Sequence, residues 1–258
     1  MIPIKTPQEI EKMRASCQLA SRILDQLSSM LCPGITTKDV DFAAGKMMEE
    51  AGCRSAFLGY KRFPGNICIS INDEVVHGIG GARRIQYSDI VKLDIGVILD
   101  GFVGDTAATV PIGVIGEEVQ RLLTVTEDAL FKGIERAREG RRLSELCAAI
   151  QDEVEVNGFS VVREFVGHGV GRRLHEEPQI PNYRTPGATA KLRAGMTLAV
   201  EPMVNLGQSA VRVLQDDWTV VTADRLPSAH FEHTILVTKG EAEILTWREK
   251  TSSKLKAR

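Results

Sequence analysis

Two stretches of this sequence, 106 positions apart, share the same layout, and this repeat constrains the fold more than any other feature. Gly34 and Gly52 enclose a short amphipathic stretch with helical periodicity, and Gly140 and Gly158 enclose another of the same length. Each follows a longer stretch that also has helical periodicity. We therefore predict two similar halves in succession. The alternative is that any two capped helices look alike.

The first predicted helix spans residues 7–31. The segment Thr6-Pro7-Gln8-Glu9 is typical of a helix start, because threonine caps, proline takes the first helical position and glutamate completes a capping box. Apolar residues then recur at spacings of three and four until a Pro-Gly pair ends the helix. A second helix is predicted to start near Thr36 or Thr37 and to stop at Gly52.

Strand patterns follow each predicted pair of helices. The predicted strands are 66–72, 90–99, 102–110, 159–166, 196–205, 211–215, 217–222 and 230–238. Asp100-Gly101 lies between two apolar runs and is typical of a two-residue hairpin turn. This mixture favours an α+β fold with a largely antiparallel sheet. We expect one domain over residues 1–248 and a flexible basic tail over residues 249–258.

Composition and charge exclude several classes of protein. The net charge of −2 gives no indication of DNA binding or of an anionic membrane partner. The five cysteines contain no C-x-x-C pair, which argues against a disulfide framework and a zinc ribbon and favours a reducing, cytoplasmic location. The sequence has no signal-peptide pattern and no 18-residue apolar stretch, so we expect no membrane span.

Two aspartates lie on the predicted hairpin. If Asp100 and Gly101 form the turn, Asp94 is opposite Ala107, and Asp105 points to the same face as Asp94. Two adjacent carboxylates in an apolar setting repel each other, and a bound divalent cation would remove that cost. The alternative is that both face solvent on an edge hairpin, and a bulge would also separate them.

Three further residues are candidate metal ligands. His168 lies between glycines, which allow the backbone to approach a ligand or a neighbouring strand. Glu201 ends an apolar strand, and Glu232 lies on another. Taken singly, His168 could be a loop histidine without a function, and each glutamate could point to water. His230 and His233 are assigned no catalytic role.

Together these candidates form a set rich in oxygen donors. The five residues are Asp94, Asp105, His168, Glu201 and Glu232. Four carboxylates with one imidazole suit two close ions such as Mn, Fe(II) or Co(II) better than one structural zinc. Two-metal sites of this kind carry out hydrolysis with an activated water.

At these residues the chain resembles the type I methionine aminopeptidases of peptidase family M24, from Ile4 to about Thr246. The matching segments are Asn66–Asn72, Val76–Ile79, Asp100–Thr106, Gly167–Gly171, His175–Pro178, Glu201-Pro202 and Phe231–Thr234. The resemblance implies the pita-bread fold, with two pseudo-symmetric halves around a curved, mainly antiparallel sheet. It implies removal of the initiator methionine from nascent polypeptide N-termini with a small second residue.

The resemblance also implies a role for each candidate ligand. Asp94 would chelate one divalent ion, His168 and Glu201 would bind a second, and Asp105 and Glu232 would bridge them. The ions would be Co, Mn, Fe(II) or Zn. Glu201 would also shuttle a proton.

Further roles follow from the same resemblance. His175 would hydrogen-bond the scissile carbonyl, and His77 would contact the next peptide nitrogen. The methionine pocket would be formed by Tyr60, Phe63, Cys68, Leu174 and Trp218.

Three more expectations rest on the resemblance alone. A monovalent cation is expected near Asn72, Glu74 and Ser228. The resemblance favours a monomer. Contact with the ribosome fits an enzyme that acts on nascent chains, although no residue indicates it directly.

Other functions remain open at this stage. A prolidase or aminopeptidase P would share the fold but usually carries a further N-terminal domain, and only about 90 residues precede Asp94 here. A non-catalytic pita-bread binding protein would be expected to have lost metal ligands. A serine hydrolase would need a G-x-S-x-G elbow, which the sequence lacks. Cys68 could be a nucleophile, but its apolar strand pattern favours a pocket wall.

Overall fold

Within the part of the chain that the structure describes, the α-helices occur as one pair in each half. The computed structural model describes residues 2–247, so the predicted basic tail lies outside the described residues. The helices are α1 (Pro7–Met30), α2 (Thr37–Glu50), α3 (Glu117–Ile134) and α4 (Leu143–Val156). The capping box predicted at Thr6 and Glu9 is present at the start of α1. No helix among these residues is both long and apolar enough to cross a bilayer.

The predicted repeat is confirmed by α2 and α4. Both helices have 14 residues and both end at a glycine in the left-handed region, Gly52 with φ 68° and Gly158 with φ 80°. In each case the next residue donates its amide hydrogen to the carbonyl five residues back, at 3.0 Å and 3.2 Å. A side chain at either glycine would meet no atom within 4 Å, so glycine is needed for its conformation rather than for space.

The strands are more numerous than predicted and most are shorter, although the predictions for 90–99 and 102–110 are confirmed to within one residue. In the first half they are β1 (Arg54–Ser55), β2 (Cys68–Ile71), β3 (Glu74–Val76), β4 (Ile90–Leu99) and β5 (Phe102–Pro111). In the second half they are β6 (Ser160–Val161), β7 (Gly167–Gly169), β8 (Glu176–Ile180), β9 (Thr197–Val200), β10 (Met203–Asn205), β11 (Val211–Val213), β12 (Val220–Thr222), β13 (Ser228–His230), β14 (Glu232–Leu236) and β15 (Glu243–Ile244).

Two strands that were predicted to be continuous are each divided in two. The predicted strand 196–205 is divided at Glu201 and Pro202, because proline has no amide hydrogen for a strand ladder. The predicted strand 230–238 is divided at Phe231. Each half of a divided strand pairs in a different sheet: β9 and β14 in the central sheet, and β10 and β13 in a small one.

The central sheet combines strands of both halves. Its order is β1-β4-β5-β14-β9-β7-β8, with β2 also paired to β4 and β15 to β14. Two sheets of three strands flank it, in the orders β13-β10-β6 and β11-β12-β3. Every pair of these strands is antiparallel, which confirms the predicted α+β architecture.

Strand β4 shows how the sheet separates core from site. Its odd-numbered residues from Val91 to Val97 are fully buried in one apolar core with residues of all four helices. Because side chains alternate along a strand, the even-numbered residues Lys92 and Asp94 point to the opposite face. Helix α1 packs closely on this hairpin, since a Cβ at Gly104 would lie 2.4 Å from the Ser16 carbonyl carbon. Helices therefore cover one face and leave the other for polar groups.

Candidate metal centre and active site

Strand register brings three of the candidate carboxylates together. The hairpin turns at Asp100 and Gly101 as predicted, and Asp94 pairs with Ala107. Ala107 also pairs with Glu232 on its other side. Asp105 precedes Ala107 by two residues and therefore lies on the same face. Asp94, Asp105 and Glu232 thus project from three adjacent strands.

The remaining two candidates come from β7 and the end of β9. His168 pairs with Ala199, and Glu201 follows Ala199 by two residues. His168 Nε2 lies 3.3 Å from Glu201 Oε1 and 3.8 Å from Asp105 Oδ2. Ligand atoms of Asp105, His168 and Glu232 all lie within 4.8 Å of one another. The five candidates therefore form one cluster.

The electrostatics of this cluster indicate a missing positive charge. Burial, followed by repulsion from the neighbouring carboxylates, raises the pKa of Asp105, Glu201 and Glu232 well above the usual range. Burial also raises the pKa of Asp94 to about 7. Among residues 2–247, the buried atoms Asp105 Oδ1 and Glu232 Oε1 have no hydrogen-bond partner. Divalent cations would satisfy both oxygens and offset the repulsion, so these residues fit a metal centre.

The imidazole of His168 is held ready for coordination. Its Nδ1 lies 2.9 Å from the Gly169 carbonyl oxygen, which accepts a hydrogen bond from a protonated Nδ1 and leaves the Nε2 lone pair facing the carboxylates. Burial lowers its pKa to about 3, so the ring is neutral.

The glycines beside His168 allow the neighbouring chain segments to approach closely. A Cβ at Gly167 would lie 2.4 Å from the Ala199 carbonyl oxygen, and one at Gly169 would lie 2.2 Å from that of Glu177. His168 therefore sits in a tightly paired strand, a position the sequence analysis did not predict.

The cluster lies in a cavity of about 280 Å³. All twelve residues that the sequence analysis assigned to the site line this cavity. They are Tyr60, Phe63, Cys68, His77, Asp94, Asp105, His168, Leu174, His175, Glu201, Trp218 and Glu232. The structure thus brings together every predicted site residue.

The other two histidines of the predicted site, His77 and His175, occupy different walls of the cavity. His175 Nδ1 lies 2.9 Å from the Tyr60 hydroxyl, and its ring packs on that of His168 with centroids 4.3 Å apart. His77 has a left-handed φ of 61° and meets Phe165 and Trp218 edge to face, at centroid distances of 5.3 Å and 6.2 Å. Burial lowers the pKa of both histidines, that of His77 to about 4. Both are therefore neutral hydrogen-bonding groups near pH 7.

Apolar and aromatic side chains form the rest of the cavity. Phe63 and Trp218 pack edge to face at 5.0 Å, and Cys68 pairs with Asp94 on the adjoining strand. Lining residues that were not predicted from the sequence include Lys61, Val76, Phe165, Val166 and Met203. His230, which was predicted to have no catalytic role, also lies close to the cluster, with its Nε2 3.7 Å from Glu201 Oε2. Phe165, Met203 and His230 each lie within three positions of a candidate ligand, which is the one sequence feature that could have indicated them.

The region where a monovalent cation is expected, near Asn72, Glu74 and Ser228, contains a buried lysine. Lys92 Nζ donates hydrogen bonds to the carbonyl oxygens of Asn72, at 2.6 Å, and Ser228, at 2.9 Å. The Glu74 carboxylate accepts from the Ile71 amide and from Arg83. The family resemblance indicated Asn72, Glu74 and Ser228 but not Lys92.

Comparison with known proteins assigns the chain to a family. The model of metallopeptidase family M24 matches residues 11–239. This chain belongs to metallopeptidase family M24. The family implies divalent metal ions, in agreement with the cluster of buried carboxylates.

Individual M24 relatives match over nearly their full length. Methionine aminopeptidase 1 of Bacillus subtilis (strain 168) is 48% identical over 246 residues, which are 95% of this chain and 99% of that protein. The crystal structure of methionine aminopeptidase from Thermotoga maritima has a TM-score of 0.94 and 44% identity, and the match covers 96% of this chain and 100% of that one. The pita-bread fold implied by the resemblance is thereby confirmed.

A more distant solved structure differs in length. Prolidase from Pyrococcus furiosus has a TM-score of 0.78 at 23% identity, and the match covers 95% of this chain but 66% of that chain. This likeness shows a shared fold. About a third of the prolidase chain lies outside the match.

Proposed function

We propose that this protein is a methionyl aminopeptidase that removes the initiator methionine from nascent polypeptides with a small second residue. One observation carries the proposal: two buried and two partly buried carboxylates and a neutral imidazole converge at one cavity with apolar and aromatic walls. Its relatives in Bacillus subtilis and Thermotoga maritima are named methionine aminopeptidases and match over almost the whole chain.

Each candidate ligand takes a position that its strand register supports. Asp94 would hold one divalent ion, and His168 with Glu201 would hold a second. Asp105 and Glu232 lie between these groups and would bridge the ions, which we propose to be Co, Mn, Fe(II) or Zn. When bound, such ions lower the pKa of water and polarise a carbonyl.

The chain's own polar groups would orient the peptide and move its protons. If the Tyr60 hydroxyl donates to His175 Nδ1, then His175 Nε2 carries a hydrogen that it can donate to the scissile carbonyl oxygen. His77 would contact the peptide nitrogen beyond the scissile bond. Glu201 would carry a proton on its carboxylate to the leaving amine.

The cavity walls would select the methionine side chain. The pocket formed by Tyr60, Phe63, Cys68, Leu174 and Trp218 is aromatic and apolar, and a flexible thioether packs well on such surfaces. The free α-amino group would lie at the Asp94 end of the cluster. An internal peptide bond lacks that amine, which restricts cleavage to the first residue.

We further propose that residues 1–248 form one catalytic domain that acts as a monomer in the cytoplasm. Strands of the two halves meet at β5 and β14 in the central sheet and each half supplies candidate ligands, so neither half has a complete site without the other. The five free cysteines are compatible with a reducing compartment. Substrates at emerging N-termini would bring the enzyme near the ribosome.

Mass spectrometry of short peptides tests this proposal. Metal-stripped protein is incubated with Met-Ala-Ser, Met-Leu-Ser and acetylated Met-Ala-Ser, before and after addition of Mn(II) or Co(II). We expect methionine to be released only from free Met-Ala-Ser and only with metal. Cleavage of the acetylated peptide would contradict recognition of the α-amino group. Cleavage of an Ala-Pro dipeptide instead would indicate a prolidase, and no cleavage with any metal would indicate a binding protein.

A further inference from the structure

Lys92 is one of the largest fully buried side chains in the described part of the protein, at 1% exposure. It lies on β4 two residues before Asp94, on the face of the sheet that carries the candidate metal ligands. Burial of an amino group is costly unless hydrogen bonds or charges compensate for lost water. Lys92 therefore requires a structural explanation.

Backbone carbonyls from two separate segments hold the Lys92 amino group. The Asn72 carbonyl belongs to the turn between β2 and β3, and the Ser228 carbonyl begins β13. The Ser228 amide also donates to the Asn72 carbonyl, at 3.0 Å. Converging carbonyl oxygens are the ligands that hard cations prefer. The amino group thus occupies a cradle with the character of a cation site.

Among the described residues, the neighbouring carboxylates have other partners and form no ion pair with the Lys92 amino group. Glu74 contacts Arg83 at 2.7 Å, Asp89 accepts from the Asn72 side-chain amide at 2.8 Å, and Asp73 pairs with Arg225 at 2.9 Å. Burial lowers the pKa of Lys92 to about 7, against the attraction of Glu74 and Asp73. Both the protonated and the neutral amine can donate to two carbonyls, so the contact holds in either state.

We infer that the Lys92 amino group takes the place of a monovalent cation in this protein and ties the turn at Asn72 to β13. This contact positions β4, where Lys92 precedes Asp94 by two residues, and β13, which ends two residues before Glu232 at the start of β14. Lys92 is a positioning residue in this account. The protein's stability and activity are accordingly independent of Na⁺ and K⁺.

The first test compares salts at constant ionic strength on the unaltered protein. Thermal unfolding midpoints are measured in sodium, potassium and tetramethylammonium chloride, with metal-stripped protein so that the result does not depend on the proposed function. We expect the same midpoint in all three salts. A saturable rise with Na⁺ or K⁺ would overturn the inference, because it would reveal a cation site that Lys92 does not fill.

The second test empties the cradle. Lys92→Ala leaves the two carbonyls facing a cavity, and we expect its midpoint in tetramethylammonium chloride to fall by about 5–10 °C. Addition of Na⁺, K⁺ or NH₄⁺ should recover part of this loss with saturation. The matched variant Lys92→Met fills the cavity with apolar atoms, and the same salts should leave its midpoint unchanged.

Thallium(I) NMR gives an independent reading of the same site. A bound thallium signal is expected for Lys92→Ala and not for the unaltered protein or Lys92→Met. Equal responses of the two variants to cations would overturn the inference. If Lys92→Ala does not fold in any salt, bound thallium in the unaltered protein would still refute the proposal, and its absence together with equal midpoints would support it.

Discussion

Helices α2 and α4 have the same length and end at glycines with the same left-handed conformation, yet the strands that follow them differ. In the first half, β4 and β5 are continuous, with ten residues each, and carry Asp94 and Asp105 on one hairpin. In the second half, His168, Glu201 and Glu232 come from three chain segments, each beside a break or a short strand. The two halves therefore share their helix pairs but supply the candidate ligands in different ways.

This difference indicates which contacts fix the position of each candidate ligand. Asp94 and Asp105 are fixed by a two-residue turn within a continuous register. Glu201 and Glu232 instead lie where strands leave the central sheet for the small one. The positions of His168, Glu201 and Glu232 depend on pairing between distant segments. We expect the two halves to be equally necessary for the chemistry and equally dependent on their helix ends.

The largest effect is expected from removing one bridging carboxylate in either half. Asp105→Asn and Glu232→Gln should each reduce kcat/KM by more than about 10³-fold, because each variant loses a charged ligand shared by both proposed ions. Steady-state cleavage of Met-Ala-Ser and elemental analysis of bound metal would measure this. A large loss in one variant and near-normal activity in the other would show that the halves contribute unequally.

The turn of the same hairpin offers a matched control. Asp100 is exposed and has a φ of 49°, a conformation that asparagine tolerates well. Asp100→Asn removes one negative charge from the hairpin, as Asp105→Asn does, but outside the cluster. Its activity and metal content should match those of the unaltered protein. Loss of metal in this control would show that the loss in Asp105→Asn comes from the reduced negative charge of the hairpin and not from removal of a ligand.

A smaller effect is expected at the contact between the halves. His175→Ala should lower kcat by about 10²–10³-fold with metal content unchanged, since it removes a donor to the developing oxyanion. Tyr60→Phe removes only the hydroxyl that orients His175, so a loss of about tenfold is expected.

A double-variant cycle sharpens this assignment. If Tyr60 acts through His175, the variant with both substitutions should be no worse than His175→Ala alone. Multiplied losses would mean that Tyr60 contacts the substrate independently. Loss of bound metal in His175→Ala would show that His175 supports His168 rather than the substrate.

The features predictable from sequence are those decided locally. The capping box at Thr6, the glycines that end α2 and α4, and the Asp100-Gly101 turn each depend on a few adjacent residues. The hairpin register then follows by counting, and it places Asp94 and Asp105 on one face. The five candidate ligands could be named from these patterns and the family resemblance, and their individual roles stay a prediction.

The features that escaped prediction depend on distant pairing. The strand at His168 has only three residues, and its glycines are set by close approach to Ala199 and Glu177 rather than by any local pattern. Lys92 lies in an apolar strand, where its sequence neighbours give no sign of carbonyls 20 and 136 positions away. Apolar wall residues such as Phe165 and Met203 resemble ordinary core residues until the fold is known.

The smallest effect is expected at the two glycines that end α2 and α4, and it tests whether these helix ends are equivalent. Gly52→Ala and Gly158→Ala each force a side chain into the left-handed region, which costs about 1–2 kcal/mol, and neither methyl would meet another atom. Equal losses of unfolding free energy are therefore expected in chemical denaturation, with activity retained below the transition. Gly187→Ala is the matched control, because its backbone is outside that region and a methyl would lie 3.9 Å from Thr185 Oγ1. A much larger loss at one glycine would mean that the two helix ends are similar in shape but unequal in their contribution to stability.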